Sequence, residues 1–238
     1  MGPLGGTISA AGGPAEALRA VDWFPLLLSL RVAGIATVIT ATFGVAGAYA
    51  ISRGRFPGRG LLEAAASLPI VLPPTVLGYY LLVLVGREAP LGHAWERLTG
   101  QPLVFTWQGA VLAASVASLP FCLRAARAAF DGVDRRYEEA ARVAGLPEWR
   151  VALQVTLPLA ARGVIAGVTL GFARALGDFG TTVMVAGNIP GRTQTMPIAV
   201  YDAVQAFDYT SAAVLAGVLS AVAIVVLVVV RRLERGAV

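Results

Sequence analysis

Five long apolar stretches alternate with short polar segments along the chain, and this pattern predicts an all-α protein that crosses a membrane five times. Each stretch is long enough to cover the roughly 30 Å of hydrocarbon in a bilayer. The predicted spans lie near 24–51, 61–86, 104–124, 159–187 and 210–230. We expect one domain over 24–235, preceded by a loose tail at 1–23 in which no basic segment precedes an apolar stretch, as a signal peptide would require.

The positions of the arginines orient these spans. Most arginines fall in the segments 52–60, 123–163 and 231–238, which the positive-inside rule assigns to the cytoplasm. An odd number of spans then places the N-terminus outside and the C-terminus inside. In the first span, Arg31 is expected to extend toward the outer surface.

The longest polar interruption is the elbow at 131–158, which is predicted to be two helices joined by a tight turn. The charged run 134–139 opens the first helix, and Gly145 suits a left-handed C-terminal cap. Pro147 suits the first turn of the second helix, where a missing N–H costs nothing. Pro158 is predicted to end that helix before the fourth span.

The second helix of the elbow has one apolar side, because Trp149, Leu153 and Leu157 recur every four residues. The orientation of the spans places this side in the cytoplasm. The elbow therefore offers a face to another protein.

The second span contains three prolines that should break or kink its helix, Pro69, Pro73 and Pro74, and Gly78 loosens it further. Such breaks persist only where protein or a water-lined cavity satisfies the freed carbonyls. This pattern predicts either a helix that lines a translocation path or a packing kink.

The fourth span carries small residues at four-residue spacing, which permit close approach of another helix. They are Gly163, Gly167, Gly171 and Ala175. Arg174 and Asp178 are four residues apart and can pair. Because pairing would partly cancel the attraction of Arg174 for an anion, a structural or gating pair is favoured over a direct substrate ligand. Beyond this span, 188–191 predicts a turn and 196–206 a short helix in the outer membrane interface.

Composition removes several classes of function. The 238 residues are 57% hydrophobic and 14% charged, which is typical of a membrane protein. All 19 basic residues are arginines, so the lysine of a phosphate-binding P-loop is missing and any ATP must be bound by another subunit. Cys122 and His93 are each the only residue of their type, which excludes an internal disulfide and a cysteine-rich metal site. We expect His93 in a solvated loop rather than in a metal site with Glu96.

The elbow resembles the signature of the permease subunits of ABC importers. That signature reads Glu-Ala-Ala, three residues, Gly, nine residues, an aliphatic residue, any residue and Leu-Pro. It is matched by Glu139, Ala140, Ala141, Gly145, Val155, Leu157 and Pro158, with valine where isoleucine is usual.

Three further stretches resemble the permeases of molybdate importers. They are LPIVLPPTVLGYYLL at 68–82, ARALGDFGTTVMVAGNIPG at 173–191 and TQTMPIAVY at 193–201. The likeness runs from about Leu26 to the end of the last span, and Asp178 stands where that family is expected to have glutamate. Tungstate and sulfate or thiosulfate permeases share parts of this pattern and remain alternatives.

The resemblance implies the five-span type I ABC importer permease fold with a cytoplasmic coupling helix in the inner membrane, in a chain that is not itself an enzyme. Two copies would enclose a shared path, and each would dock a cytoplasmic ATPase that binds ATP and Mg²⁺. An extracytoplasmic binding protein would deliver the oxyanion. The chain would need no cofactor and no metal of its own, and no nucleic acid is expected as a partner.

The resemblance also implies a group of site residues in the elbow. The ATPase-coupling residues are Glu139, Ala140, Ala141, Gly145, Leu146, Trp149, Leu157 and Pro158. Glu139 would fix the elbow by a bond within it or to the ATPase, the two alanines would let the helix approach a groove, and Leu146 and Trp149 would insert into the partner. A second group, the path or gate residues, follows from the spans themselves: Pro73, Pro74, Arg174, Asp178, Thr181 and Thr182. Because no net positive cluster lies at membrane depth, we expect hydroxyl and backbone N–H groups near Thr181, Thr182 or the broken second span to contact the anion.

Two other classes of protein fit the sequence less well. A secondary transporter working alone should carry inverted repeats and coupling-ion sites at the membrane midplane, and neither is found. A membrane redox enzyme needs histidine or cysteine ligands within its spans, whereas His93 is expected in a loop.

Overall fold

The computed structural model describes residues 22–54 and 56–236, so most of the predicted tail at 1–23 lies outside the described residues. All regular structure in these residues is helical. The elements are α1 Phe24–Arg53, α2 Arg59–Val71, α3 Pro74–Val85, α4 Pro90–Thr99, α5 Trp107–Asp131, α6 Arg135–Val143, α7 Glu148–Val151, a π-helical turn Ala152–Thr156, α8 Leu157–Leu176, α9 Gly180–Ala186, α10 Met196–Gln205 and α11 Tyr209–Gly236.

Four helical segments are long and apolar enough to cross a membrane: α1, α5, the continuous run Glu148–Leu176 and Tyr209–Val230 of α11. The pair α2–α3 passes the same test as one broken span, bent by 117°. The described residues therefore contain four spans, or the predicted five when α2 and α3 are counted together as the second. The prolines at 73 and 74 break the span at Leu72–Pro73, while Pro69 lies inside α2.

The core of the bundle is formed by α1, α5 and α8, which pack along most of their length. Their contact surfaces are made largely of small side chains. A Cβ atom added to Gly163 would lie 2.5 Å from the Cβ of Ala129, and one added to Gly167 would lie 2.9 Å from the Cβ of Ala125. The predicted close approach along the fourth span is thus confirmed, and the partner helix is α5.

The last helix, α11, packs mainly on α10 and touches α8, and its spanning window is not buried within the chain. Asp208 precedes its first turn and accepts a hydrogen bond from the Ser211 amide at 3.0 Å. The Ser211 hydroxyl and amide hold the pKa of this carboxyl below its usual range. α11 is therefore fixed at its start, while most of its apolar surface remains available to lipid or another chain.

Three expectations need correction. Pro158 does not end the second elbow helix, because α7 widens into the π-helical turn and continues as α8 with Pro158 at an early position. The fourth stretch is not one helix, since α8 ends at Leu176 and α9 begins only at Gly180. His93 lies on the short helix α4 rather than in a loop, although its side chain is exposed. No cluster that could hold a metal ion occurs among the described residues.

Candidate coupling elbow and translocation path

The turn of the elbow is a Schellman cap. Gly145 has a φ of +84°, in the left-handed region that glycine adopts without strain. Its N–H donates to the carbonyl of Arg142 at 2.9 Å, and the N–H of Leu146 donates to the carbonyl of Ala141 at 3.1 Å. These bonds satisfy the last carbonyls of α6, so the direction in which the chain leaves α6 is fixed. The predicted role of Gly145 in the turn is confirmed, and Pro147 precedes α7 by one residue.

The apolar side of the second elbow helix is not covered by the rest of the described chain. Trp149 is 59% exposed and Leu153 is 57% exposed. Leu146 and Leu157 are half-buried, and the predicted docking residues Glu139, Ala140 and Pro158 are exposed beside half-buried Ala141. Large apolar side chains grouped on a surface mark an interaction site.

The carboxylate that attaches the elbow to the rest of the chain belongs to Glu138, whereas the glutamate of the Glu-Ala-Ala signature is Glu139. The Glu138 side chain is 1% exposed and its Oε1 accepts hydrogen bonds from Arg53 Nε at 2.7 Å and from Thr156 Oγ1 at 2.8 Å. Glu139 is exposed and makes no ion pair or side-chain hydrogen bond with the other residues in 22–54 and 56–236. Of the two roles considered for Glu139, the bond within the elbow is not observed among the described residues.

No pattern in the sequence distinguishes Glu138 from Glu139. Which of the two faces inward depends on the phase of α6 relative to the bundle, and the turn that precedes α6 sets that phase. Asp134 caps α6 by accepting a hydrogen bond from the N–H of Arg136 at 3.0 Å. Arg142 on the same helix pairs with Glu148, Nε to Oε1 at 2.6 Å, and this carboxylate raises the pKa of Arg142.

The breaks in the second and fourth spans lie side by side. A Cβ atom added to Gly180 at the start of α9 would lie 2.8 Å from the Cβ of Pro74 at the start of α3. Further along, a Cβ atom on Gly78 would lie 2.6 Å from the Cβ of Met184. Glycine at these two positions therefore allows α3 and α9 to pack with their backbones in close approach.

The predicted pair of Arg174 and Asp178 is present, with Arg174 Nη1 2.9 Å from Asp178 Oδ1. The other oxygen of Asp178 accepts hydrogen bonds from the Thr182 amide at 3.0 Å and the Thr182 hydroxyl at 2.7 Å. Asp178 thus joins the last turn of α8 to α9 across the break. The Thr181 hydroxyl is buried and has no hydrogen-bond partner among the residues that the structure describes.

Three polar side chains that bond to one another connect the segment before α10 to that helix. Asn188 Nδ2 donates to Asp202 Oδ1 at 2.9 Å, and Gln194 Nε2 donates to Asp202 Oδ2 at 2.9 Å and to Asn188 Oδ1 at 3.0 Å. We call this group the clasp. A turn is present at 190–193, two residues beyond the predicted 188–191, with Gly191 at a φ of +71°. The amide of Met196 donates to Ser29 Oγ at 2.7 Å and attaches the segment to α1.

The fold is that of the membrane-spanning chains of ABC importers. The chain superposes on a chain of the MetNI methionine ABC transporter in an inward-facing conformation with a TM-score of 0.65 and 17% identity, covering 94% of this chain and 95% of that one. It also superposes on a chain of a bacterial ABC importer of the acidic polysaccharide alginate with a TM-score of 0.73 and 13% identity, covering 93% and 82%. At these identities the likeness shows the fold of ABC importer permeases.

The sequence places the chain in a family. Over residues 40–237 it matches the binding-protein-dependent transport system inner membrane component family, to which it belongs. It is 46% identical over 184 residues to the molybdenum transport permease ModB of Escherichia coli K12, covering 77% of this chain and 80% of the relative. The molybdenum transport permease YvgM of Bacillus subtilis, itself named as putative, is 41% identical over 83% of this chain and 87% of its own length. The sulfate transport permease CysT of E. coli K12 is 33% identical over 87% and 74%.

Proposed function

We propose that the chain is the permease subunit of an ATP-driven importer of molybdate, with its N-terminus outside and its C-terminus in the cytoplasm. The observation that carries this proposal is the elbow, in which a fixed turn holds exposed Trp149 and Leu153 on a surface that nothing else in the described chain covers. The identity to molybdenum transport permeases favours molybdate as the substrate. Sulfate is the second candidate because of the likeness to CysT, and tungstate is a third oxyanion of similar shape.

The partner at the elbow is a cytoplasmic ATPase. Trp149, Leu153 and Leu146 supply apolar side chains that insert into its groove, while exposed Glu139 bonds to it from the outward face of α6. The small side chains of Ala140 and Ala141 let α6 approach closely. ATP and Mg²⁺ are bound by that subunit, and this chain has no cofactor of its own.

A second copy of the chain encloses the path. The exposed aromatic and aliphatic side chains of α2 and α3, among them Leu61, Val71, Tyr79 and Tyr80, provide surface for it. An extracytoplasmic binding protein delivers the oxyanion to the face that carries the clasp. This arrangement is supported by the family, whose members are components of binding-protein-dependent systems.

The oxyanion passes the adjoining breaks of α3 and α9. Arg174 is already paired with Asp178, so its charge is largely balanced. Hydroxyl and backbone N–H groups at the breaks, including the Thr181 hydroxyl, are better suited to transient contacts than a free cation, which would hold the anion tightly. Direct coordination of molybdate by Arg174 in a structure of the loaded complex would contradict this route.

The test of ATPase docking is co-purification. The chain is tagged, extracted from native membranes in a mild detergent, and compared with Gly145→Asp and Gly100→Asp. Gly100 is a matched control because it also follows a helix with a left-handed φ, +72°, and has nothing within 4 Å of an added Cβ. We expect an ATPase with the wild type and with Gly100→Asp but not with Gly145→Asp. Recovery with all three chains, or with none, would count against the elbow as the docking site.

The substrate is tested on the reconstituted complex with its binding protein. Hydrolysis of ATP should be stimulated by molybdate at lower concentrations than by tungstate or sulfate. A stronger response to sulfate would assign the chain to that substrate and leave the coupling proposal intact.

A further inference from the structure

A single buried carboxylate joins three elements at the elbow end of the bundle. Glu138 lies in α6, and its Oε1 is bonded to Arg53, the last residue of α1, and to Thr156, the last residue of the π-helical turn. The exposed fraction is 10% for the Arg53 side chain and 1% for that of Glu138. An ion pair removed from water to this degree is screened little, and breaking it leaves an uncompensated charge.

Arg53 extends the connection to a fourth element. Its Nη2 donates to the carbonyl of Phe130 at 2.8 Å and to that of Val133 at 3.4 Å, at the end of α5 and the start of the link to α6. The guanidinium therefore holds the ends of α1 and α5 against α6. Because α1, α5 and α8 form the core of the bundle, a displacement of α6 at this point reaches all three helices.

The bond to Thr156 lies at the end of the π-helical turn. The π-helical turn Ala152–Thr156 lies between α7 and the span α8, and it carries Leu153 of the exposed docking surface. Such turns interrupt the regular hydrogen-bond ladder and occur often at functional sites. With Thr156 bonded to Glu138, the end of this turn is attached to α6, so α6 and α8 cannot move independently.

We propose that Arg53, Glu138 and Thr156 form a coupling joint, a set of positioning residues that makes the elbow move α1, α5 and α8 as one unit. This inference rests on the proposed function, since a joint transmits motion only if an ATPase moves the elbow. It goes beyond that function because it assigns the transmission of the elbow's motion to buried residues, which are separate from the exposed side chains that dock the ATPase.

The test measures molybdate imported per ATP hydrolysed in proteoliposomes containing the complete complex and its binding protein. Glu138→Gln keeps the size of the side chain and removes the charge that pairs with Arg53, and Thr156→Val keeps the size of the side chain and removes the hydrogen bond to Glu138. We expect both variants to retain the ATPase and to hydrolyse ATP, with import per ATP lowered ~5-fold or more, the lower end of typical coupling strengths. The matched control is Glu63→Gln, which removes the Glu63–Arg127 ion pair between α2 and α5 at the same end of the bundle and should leave the ratio unchanged.

A purely structural role is separated from a coupling role by the double variant Arg53→Met/Glu138→Gln. Removing both charges removes the uncompensated buried charge, so the thermal midpoint should recover relative to Glu138→Gln alone. Import per ATP should stay low, because the ion pair that joins α1 to α6 is still missing. Recovery of the import ratio together with the midpoint would overturn the joint, as would an unchanged ratio in both single variants. Failure of the wild-type chain to bind any ATPase would instead overturn the proposed function itself.

Discussion

The contact between α5 and α8 gives a prediction whose size can be worked out from two glycines one turn apart. In Gly167→Ala the new Cβ would lie 2.9 Å from the Cβ of Ala125 and 3.1 Å from the carbonyl oxygen of Cys122. The second of these atoms is backbone and cannot rotate away, so α8 must shift from α5. In Gly171→Ala the nearest atom is the Cβ of Cys122 at 3.4 Å, which is an ordinary contact.

Overpacking a well-packed interface costs about 1–3 kcal/mol. Replacing glycine by alanine inside a helix stabilises the folded state by about 1 kcal/mol through helix propensity. Gly167→Ala should therefore lower the free energy of unfolding by about 0–2 kcal/mol, while Gly171→Ala, which gains helix propensity without overpacking, should be stabilising by up to about 1 kcal/mol. The two variants should differ by about 2 kcal/mol, or roughly 4–8 °C in thermal midpoint for a chain of this length.

The assay is thermal unfolding of the purified chain at a fixed detergent concentration, followed by the fluorescence of its four tryptophans. Both variants replace a helical glycine in the same span, so differences in extraction or lipid content should be shared. Equal midpoints, or a lower midpoint for Gly171→Ala, would refute the conclusion that backbone approach at Gly167 sets the distance between α5 and α8.

Two further predictions concern the adjoining breaks. Gly78→Ala places a Cβ 2.6 Å from the Cβ of Met184, so it should separate α3 from α9 and lower molybdate import while the ATPase still co-purifies. The control is Gly60→Ala, whose added Cβ meets nothing within 4 Å. Equal import by the two variants would contradict the prediction. Asp178→Asn keeps an acceptor for Thr182 but removes the counter-charge of Arg174. It should therefore lower the free energy of unfolding by about 1–3 kcal/mol, measured as a lower thermal midpoint. A midpoint at the wild-type value would show that the pair does not stabilise the break.

Features that depend on local chemistry could be predicted from the sequence. The apolar stretches define the spans because hydrocarbon thickness sets their length. Gly145 marks the elbow turn because a left-handed backbone disfavours other residues, and the four-residue spacing of glycines in the fourth span marks a close helix contact. Each of these signals is contained in a few neighbouring residues.

Features that depend on how helices are placed relative to one another could not be predicted. Nothing near Pro158 shows that a π-helical turn will carry the helix through it, and the break at 177–179 contains no proline. The choice of Glu138 over Glu139 is set by the rotation of α6 against α1, more than 80 positions earlier in the chain. Prolines at 73 and 74 indicate a break in the second span, but they do not give its 117° angle.

The clasp has a consequence for how its three residues change during evolution. Asn188 and Gln194 lie in two of the stretches that resemble molybdate permeases, 173–191 and 193–201, yet their side-chain amides bond to each other and to Asp202. Changing any one of the three leaves the other two short of a partner, so they are expected to diverge together rather than singly. The residue types at these positions are then retained because they maintain the clasp. They accompany a given substrate within a lineage, but they are not selected by contact with that substrate. A lineage could change the anion it imports and keep the clasp intact.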